Sequence, residues 1–220
     1  MKSYFAEFMM HFNQNDKDAC VEYALKGLKQ QWFSIPKLYE DLLRPALYTI
    51  DECVPDDPNC IWQEHVKTAI VKTIIESVYP FVIAEKKMIQ PLDITVLLTA
   101  PEKEYHEIGL RMMSDFFALC GYHPIYIGIN TPRDQVCHAI QQSNPKYVAI
   151  GVTDYYLIVE AKKMIAQIRL MPSQSIKIIL GGSAFFNNPH AVSEVGGDRY
   201  FSSFRDIQNL SKEDRYEISL

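Results

Sequence analysis

One short segment of the chain combines residue types that could do chemistry, the stretch 101–109, which reads PEKEYHEIG. Within it, Glu104 stands two residues before His106. A histidine in a loop can coordinate a metal through one ring nitrogen, and a nearby carboxylate can hold the other nitrogen and raise the basicity of the ring. Gly109 would let a bulky ligand approach the backbone closely. The alternative is a solvent-exposed histidine in a polar loop.

The stretch contains only one histidine, which limits the kind of metal it could hold. A free zinc ion needs three or four protein ligands, whereas one histidine suffices for a metal that arrives inside a macrocycle. Other ligand and catalytic motifs are absent from the sequence: it contains no GxGxxG after the first predicted strand, no GxxxxGK[ST] and no GxSxG. A dinucleotide fingerprint, a P-loop and a nucleophile elbow are therefore not expected.

The second half of the chain predicts the elements that position this stretch. Five β-rich runs alternate with helical patterns, the runs being 92–98, 124–129, 147–152, 176–180 and 199–201. The runs are continuously apolar, which is typical of a parallel sheet covered on both faces. We expect an α/β domain with a flavodoxin-like doubly wound five-stranded parallel sheet, in which ligands bind at the carboxyl ends of the strands. The polar tail after Leu210 is expected to fray.

The first half of the chain predicts helices alone. Residues 2–87 show apolar positions at helical spacing and no convincing strand. Four helices with short loops indicate a small antiparallel bundle, and Pro80 is expected to kink or break the fourth helix. The expected organisation is an all-α four-helix cap domain over 1–89 followed by a Rossmann-like domain over 90–220.

Composition excludes several function classes. The chain has 220 residues, 48% of them hydrophobic, and a net charge of −5, so it is a poor non-specific binder of nucleic acid or anionic membrane. No apolar run reaches the ~20 residues of a membrane span, and charged and polar residues interrupt the N-terminus, so we expect a cytoplasmic protein without a signal peptide. The five cysteines are expected to be reduced, with a Cys53–Cys60 pair as the alternative.

The spacing Glu104-x-His106-x-x-Gly109, with Gly181-Gly182 after the fourth predicted strand, resembles the cobalamin-binding domain family. In that family a histidine replaces the cofactor's own lower base at cobalt, and the displaced nucleotide tail enters a cleft in the sheet. The resemblance implies that His106 is the lower axial ligand and that Glu104 orients it. It also implies that Gly181 and Gly182 allow the tail to pass the backbone.

Three further residues belong to the expected cofactor-binding set. Tyr105 lies in the loop itself, and Gly151 and Thr153 follow the third predicted strand. After the third strand the family has Ser-x-Leu or Ser-x-Thr, whereas this chain has Gly151-Val152-Thr153. Because Gly151 has no side chain to donate a hydrogen bond to the nucleotide base, Thr153 is the residue that could substitute.

The upstream Glu64-His65 pair resembles the cap of cobalamin-dependent light-sensing transcription regulators, where a four-helix cap covers the upper face of the corrin. In those proteins a Trp stands ten residues before the pair; here that position is Val54, and Trp62 lies two residues before Glu64. The resemblance implies that Trp62, Glu64 and His65 are cofactor-binding residues and that His65 could be an upper cobalt ligand. The smaller Val54 favours methyl, water or hydroxide over adenosyl as the upper ligand.

Three functions remain open at this stage. The favoured one is a corrinoid-based, light-responsive sensor or regulator that acts through a partner protein, since the sequence has no basic recognition helix. The second is a corrinoid methyl carrier that serves methyltransferases, although Leu110-Arg111 replaces the Lys-Asn usual in carriers. The third is a related module that binds another tetrapyrrole or no cofactor. None makes the chain an enzyme by itself, and a homo-oligomer stays an open alternative.

Overall fold

A computed structural model describes residues 4–50, 60–171, 175–186 and 189–219. The chain divides into two compact units, Met1–Glu85 and Lys86–Leu220. The expectations for Cys53 and Val54 fall outside the described residues. Cys20, Cys120 and Cys137 are buried free thiols.

The first unit is helical. Its elements are α1 (Tyr4–Asn13), α2 (Lys17–Lys29), α3 (Ile35–Lys37), a π-helical turn (Leu38–Leu43), α4 (Arg44–Tyr48) and α5 (Cys60–Lys86). The elements from α3 to α4 form one continuous helix over 35–48, so the described residues of this unit, 4–50 and 60–85, contain four helical segments. Side chains cap two of the starts, because Asp16 accepts a hydrogen bond from the Ala19 N–H at 3.0 Å and Ser34 accepts one from the Lys37 N–H at 3.5 Å.

Pro80 does not break the long helix α5, which continues to Lys86; the expected kink at this position stays a prediction. Proline lacks an N–H and removes one bond of the helical ladder, but Ile74, Val78 and Val82 are buried on both sides of it. Burial of this apolar face stabilises the helix across the missing bond.

The second unit is built on a parallel sheet. Its strands are β1 (Thr95–Thr99), β2 (His123–Gly128), β3 (Tyr147–Gly151), β4 (Lys177–Gly181) and β5 (Arg199–Tyr200). They pair in the order β2-β1-β3-β4-β5, and all four pairings are parallel. This order is the flavodoxin-like one, so the predicted fold class is confirmed.

Helices cover both faces of the sheet. They are α6 (Ile108–Leu119), α7 (Arg133–Ser143), α8 (Ile158–Arg169), α9 (Pro189–Glu194) and α10 (Phe204–Ile218), with 3-10 turns at Tyr155–Leu157 and Ser183–Phe185. The strand centres are fully buried at Leu97, Val148 and Ile178, which explains the continuous apolar runs. Among the described residues, no helix combines the length and the apolar character that a membrane span requires.

The expectation of a fraying tail after Leu210 is wrong, because these residues belong to the ordered helix α10. Its Asp214 is 1% exposed and accepts hydrogen bonds from the hydroxyls of Tyr122 at 2.6 Å and Tyr147 at 2.8 Å. The Lys146 ammonium lies 2.5 Å from the same carboxylate and 2.9 Å from Glu217. These polar contacts hold α10 on the amino ends of the strands. Because polar residues form part of its buried face, the sequence of α10 does not reveal that this face is buried.

A candidate cofactor site at the carboxyl edge of the sheet

The loop after β1 is tied to the neighbouring loop after β2. The Ala100 N–H donates to the Gly128 carbonyl at 3.2 Å, and the Lys103 N–H donates to Oδ1 of Asn130 at 2.8 Å. Since β1 and β2 are paired parallel strands, these bonds join two loops at the same edge of the sheet. Hydrogen bonds from its backbone N–H groups therefore hold the loop that carries Glu104 and His106 against the loop after β2.

Glu104 is the centre of this loop. Its carboxylate is fully buried, and its Oε1 accepts hydrogen bonds from the His106 N–H at 3.0 Å and from His106 Nδ1 at 2.6 Å. Its Oε2 accepts from the N–H groups of Thr153 at 2.8 Å and Asp154 at 3.1 Å. One carboxylate thus connects the loops after β1 and β3, which are adjacent strands.

These hydrogen bonds decide the charge of Glu104 and the tautomer of His106. Burial by itself raises the pKa of the Glu104 carboxyl, but the hydrogen bonds from the ring and backbone of His106 and from Thr153 and Asp154 outweigh it and lower that pKa to about 2. With an ionised acceptor at Nδ1, a neutral His106 ring carries its proton there and its lone pair on Nε2. The side chain of His106 is 62% exposed. The arrangement is one that prepares Nε2 to coordinate a metal.

A second cluster fixes the start of α6 and was not foreseen from the sequence. The Arg111 Nε donates to Glu107 Oε2 at 2.7 Å, and the Arg111 guanidinium lies 5.4 Å from the centre of the Tyr126 ring. The Tyr126 hydroxyl donates to the same Glu107 oxygen at 3.4 Å. The i,i+4 spacing of Glu107 and Arg111 is visible in the sequence, but the contact with β2 is not.

Gly109 has open space where a side chain would stand. Apart from its two chain neighbours and the nearby backbone of α6, a Cβ at this position would have no heavy atom within 4 Å, and the residue is exposed on the first turn of the helix. By contrast, a Cβ at Gly151 would lie 3.3 Å from Leu110 Cδ1, so packing against α6 explains the small residue there. The protein's own packing does not explain Gly109, which fits the approach of a bulky ligand.

The Gly181-Gly182 pair has internal reasons for its residue types. Gly182 has a φ of +100°, and a Cβ there would lie 2.1 Å from the Val152 carbonyl oxygen. A Cβ at Gly181 would lie 3.2 Å from the Phe201 carbonyl oxygen. The backbone therefore requires a glycine at 182, and close packing at the ends of β4 and β5 favours a small residue at 181, with or without a ligand beside them.

Two residues that the sequence analysis did not single out organise the end of β3. The Ser183 hydroxyl donates a hydrogen bond to the Thr153 carbonyl at 3.1 Å. Both backbone groups of Thr153 are therefore hydrogen-bonded, since its N–H donates to Glu104. The Asp154 side chain accepts from the Tyr156 N–H at 2.9 Å and caps the 3-10 turn. An aspartate three residues after the end of a strand and just before a helical pattern is the signal that could have identified this cap.

Large side chains on three loops of this edge are exposed to solvent. They are Tyr105 after β1, Tyr155 and Tyr156 after β3, and Phe186 after β4. The rings of Tyr155 and Tyr156 meet edge to face with centroids 6.4 Å apart. Exposed aromatic groups next to a polar site are typical of surfaces that bind ligands or partners.

The remaining predicted site residues belong to the helical unit. Trp62, Glu64 and His65 lie near the start of α5. His65 Nε2 is 3.8 Å from Glu64 Oε2, and the His65 side chain is 73% exposed. Their role toward a cofactor stays a prediction.

The comparison with protein families settles what kind of domain the sheet forms. The profile described as "B12 binding domain" matches residues 94–205. The chain belongs to the B12-binding domain family. The matched range begins just before β1 and ends within α10, so it contains all five strands and the loop with Glu104 and His106. Membership in a B12-binding family confirms the resemblance found in the sequence and makes cobalamin the cofactor class of this chain.

Solved structures extend the likeness to the helical unit. The monomethylamine corrinoid protein of Methanosarcina barkeri matches with a TM-score of 0.81 and 13% identity, over 96% of this chain and 97% of that chain. A cobalamin-binding protein from Desulfitobacterium hafniense DCB-2 matches with a TM-score of 0.49 and 14% identity, over 94% and 97%. The methanol:cobalamin methyltransferase complex of Methanosarcina barkeri matches with a TM-score of 0.47 and 18% identity, over 96% of this chain and 79% of that chain. No curated protein sequence matches the B12-binding chain.

Proposed function

We propose that this protein is a corrinoid methyl carrier that holds cobalamin through His106 and works with methyltransferase partners. The observation that carries the proposal is the buried Glu104 carboxylate, which accepts His106 Nδ1 at 2.6 Å and directs the lone pair to Nε2. This is the outer-shell partner that orients metal-binding histidines. Support for the carrier class comes from the fold shared with a monomethylamine corrinoid protein over 96% of the chain.

The chain's own residues have distinct roles in this proposal. Cobalamin, when bound, would supply a cobalt centre that can accept and release a methyl group, and its protein surroundings would tune that chemistry. His106 would hold the cobalt through Nε2, and Glu104 would fix the orientation of the imidazole ring. Gly109 leaves room for the macrocycle beside the first turn of α6.

The nucleotide tail is assigned to the ends of β3 and β4. Gly151 and Gly181 are register partners there, and neither places a side chain over the backbone. In the proposal, Gly182 and Thr153 border the tail. Tyr105 covers it from the loop after β1, where its ring is exposed in the protein alone.

Replacement of the proposed lower ligand tests the cofactor site. After reconstitution with hydroxocobalamin, we expect His106→Ala to lose more affinity than the ~10–100-fold typical of outer-shell partners and to show an altered visible spectrum. His138→Ala is the matched control, because His138 is exposed on α7 and outside the proposed site. An unchanged affinity and spectrum in His106→Ala would remove His106 from the cobalt.

A light-responsive sensor is the second candidate, and the exposed imidazole of His65 favours it. A histidine near the upper face could ligate cobalt after an organic upper ligand leaves, whereas a carrier needs that face open. Methylcobalamin is the probe, because the proposal favours methyl, water or hydroxide over adenosyl. Illumination of protein loaded with it should give the same spectrum in the unmutated chain and in His65→Ala if the protein is a carrier. A lasting spectral change that depends on His65 would instead support the sensor.

The carrier proposal also has a direct assay. With a methyltransferase partner from the same source and a nucleophilic acceptor such as a thiol, the methyl-loaded protein should lose its methyl group to that acceptor, and His106→Ala should not. Loaded protein that transfers no methyl group with any such partner, yet keeps a light response, would reject the carrier function while leaving cobalamin binding intact.

A further inference from the structure

The peptide group between Thr153 and Asp154 is hydrogen-bonded at both of its polar ends. Its carbonyl oxygen, which belongs to Thr153, accepts the Ser183 hydroxyl at 3.1 Å. Its N–H, which belongs to Asp154, donates to Glu104 Oε2 at 3.1 Å. Because a carbonyl oxygen can only accept, the hydroxyl proton of Ser183 lies on the first of these bonds. A serine in the loop after β4 is therefore connected, through one peptide group, to the carboxylate that binds His106.

A hydrogen bond at one end of a peptide group affects the other end in two ways. The group is planar, so a partner that fixes the direction of the carbonyl also fixes the direction of the N–H. Donation to the carbonyl polarises the group and strengthens its N–H as a donor, by roughly 10–30% per bond. Both effects strengthen the contact with Glu104, whose Oε1 accepts His106 Nδ1 at 2.6 Å. The Ser183 hydroxyl can thus affect the orientation of the imidazole ring through two intermediate groups.

The loop after β4 does not depend on this hydroxyl for its own conformation. The Ala184 N–H donates to the Val152 carbonyl at 3.2 Å, and the Phe186 N–H donates to the Ser183 carbonyl at 3.1 Å. The Val152 N–H also donates to the Gly181 carbonyl at 2.9 Å and joins the ends of β3 and β4. Removal of the exposed Ser183 hydroxyl should therefore leave the loop in place and act on the peptide group that it binds.

We propose that Ser183 is a positioning residue for the lower cobalt ligand, His106. Its hydroxyl orients the peptide group that holds the Glu104 carboxylate, and the carboxylate keeps the imidazole ring in place with its lone pair on Nε2. The inference rests on the function proposed above, because it requires His106 to bind cobalt. Since Ser183 follows Gly182, which borders the assigned nucleotide tail, the test has to separate an effect on His106 from a direct contact with the tail.

Cobinamide is the probe, because it has the corrin ring and cobalt of cobalamin but no nucleotide tail. An effect of Ser183 on its binding therefore cannot come from a contact with the tail. Cobinamide also has no axial nitrogen ligand of its own, so axial nitrogen splitting in the EPR spectrum of its Co(II) form reports a ligand from the protein. We expect this splitting with the unmutated chain and its loss in His106→Ala.

Ser183→Ala should weaken cobinamide binding by about fivefold, which corresponds to one hydrogen bond and is below the ~10–100-fold typical of a direct partner of a ligand histidine. It should also lower the fraction of the EPR signal that shows nitrogen splitting. Ser183→Thr keeps a hydroxyl and should restore both. Ser193→Ala is the matched control, because Ser193 is exposed on α9 and its hydroxyl donates to the His190 carbonyl at 2.9 Å. This control should bind cobinamide as the unmutated chain does.

A double-mutant cycle shows whether Ser183 acts through Glu104. The amide of Glu104→Gln has one oxygen where the carboxylate uses two, so it cannot accept both from the peptide N–H and from His106 Nδ1. In that background Ser183→Ala should weaken cobinamide binding by less than about twofold. An equal loss in both backgrounds would overturn the proposal.

The His106→Ala result separates this inference from the function on which it rests. Unchanged cobinamide binding and nitrogen splitting in Ser183→Ala, with loss of both in His106→Ala, would reject the role of Ser183 alone. If His106→Ala also retains both, His106 is not the cobalt ligand and the proposed cofactor site fails with the inference.

Discussion

The two ends of the parallel sheet each contain a buried carboxylate, and the two are used differently. At the amino end, Asp214 is enclosed by two tyrosine hydroxyls and the Lys146 ammonium, all within 2.8 Å. At the carboxyl end, Glu104 accepts three backbone N–H groups and the ring of His106, which remains 62% exposed.

The difference teaches how the partner decides the role of a buried charge. The partners of Asp214 are side chains at the starts of β2 and β3, so its bonds close the structure by joining α10 to the sheet. The partners of Glu104 are loop backbone and one imidazole that faces solvent, so its bonds prepare a group for a ligand. Burial and full hydrogen bonding alone do not distinguish stability from function.

The largest expected effect is on stability at the amino end. We expect Asp214→Ala to lower the free energy of unfolding of the sheet unit by about 3–5 kcal/mol, because two buried hydroxyls and a partly buried ammonium lose their acceptor. Urea denaturation followed by circular dichroism measures it. Glu217→Ala is the control, since Glu217 is the exposed partner of Lys146 and should cost at most about 1 kcal/mol. Equal losses in the two variants would contradict the assignment.

Replacement of the other carboxylate should affect both stability and ligand binding. Glu104→Gln places an amide against three N–H donors, so we expect a loss of about 1–3 kcal/mol in unfolding free energy and a ~10–100-fold loss in cobalamin affinity. Glu102→Gln, on the same loop and partly exposed, is the control for both measurements. A loss of stability with unchanged affinity would make Glu104 a structural residue like Asp214.

The amino end should also respond to alkaline pH. Burial, together with the hydrogen bonds to Asp214, raises the pKa values of Tyr122 and Tyr147. Above about pH 10, where unfolded tyrosine loses its proton, the unfolded chain binds fewer protons than the folded one. The contribution of these two tyrosines should therefore be intact below pH 10 and fall above it by up to about 1.4 kcal/mol per pH unit for each tyrosine. Denaturation at several pH values measures the slope.

Phenylalanine variants check the source of that slope. Tyr122→Phe and Tyr147→Phe should each make it shallower, although each also removes a hydrogen bond at neutral pH. Tyr216→Phe is the control, because Tyr216 is exposed on α10. A slope that is the same in all three variants would show that other groups cause it.

The smallest expected effect concerns two glycines at the carboxyl end. Gly109→Ala should raise the unfolding free energy by about 0.5–1 kcal/mol, since the position is helical and open, and should weaken cobalamin binding. Gly182→Ala should destabilise the unit instead, because of its φ of +100° and the nearby Val152 carbonyl. A Gly109→Ala protein that is stabilised and binds cobalamin normally would remove this residue from the site.

Local patterns made the sheet and one end of it predictable. Continuous apolar runs with helical patterns between them are enough to predict the parallel order, and Glu104 lies only two residues from His106. The amino end of the sheet was not predictable, because Asp214 binds the hydroxyls of Tyr147 and Tyr122, which are 67 and 92 residues away in the sequence. Polar residues on the buried face of α10 also hide its amphipathic character, which led to the wrong expectation of a fraying tail.

The carboxyl end was only partly predictable for a related reason. Backbone donors such as the N–H groups of Thr153 and Asp154 have no side-chain signature, so the link between the loops after β1 and β3 cannot be read from residue types. Conversely, Gly181 and Gly182 are visible in the sequence, but packing and backbone conformation at the strand ends explain why both are glycine. Pro80 shows the same limit, because burial of the flanking residues overrides its local preference.

The hydrogen bonds between Asp214 on α10 and the tyrosines at the amino ends of the strands have a consequence for synthesis of the protein. The ribosome makes all five strands before it makes Asp214, so the hydroxyls of Tyr122 and Tyr147 lack their acceptor until α10 has been synthesised. Contacts of such long sequence separation form late and slowly. During that interval the sheet exposes apolar strands that favour aggregation, so the yield of folded protein should depend on chaperones that shield the nascent chain until the last helix docks.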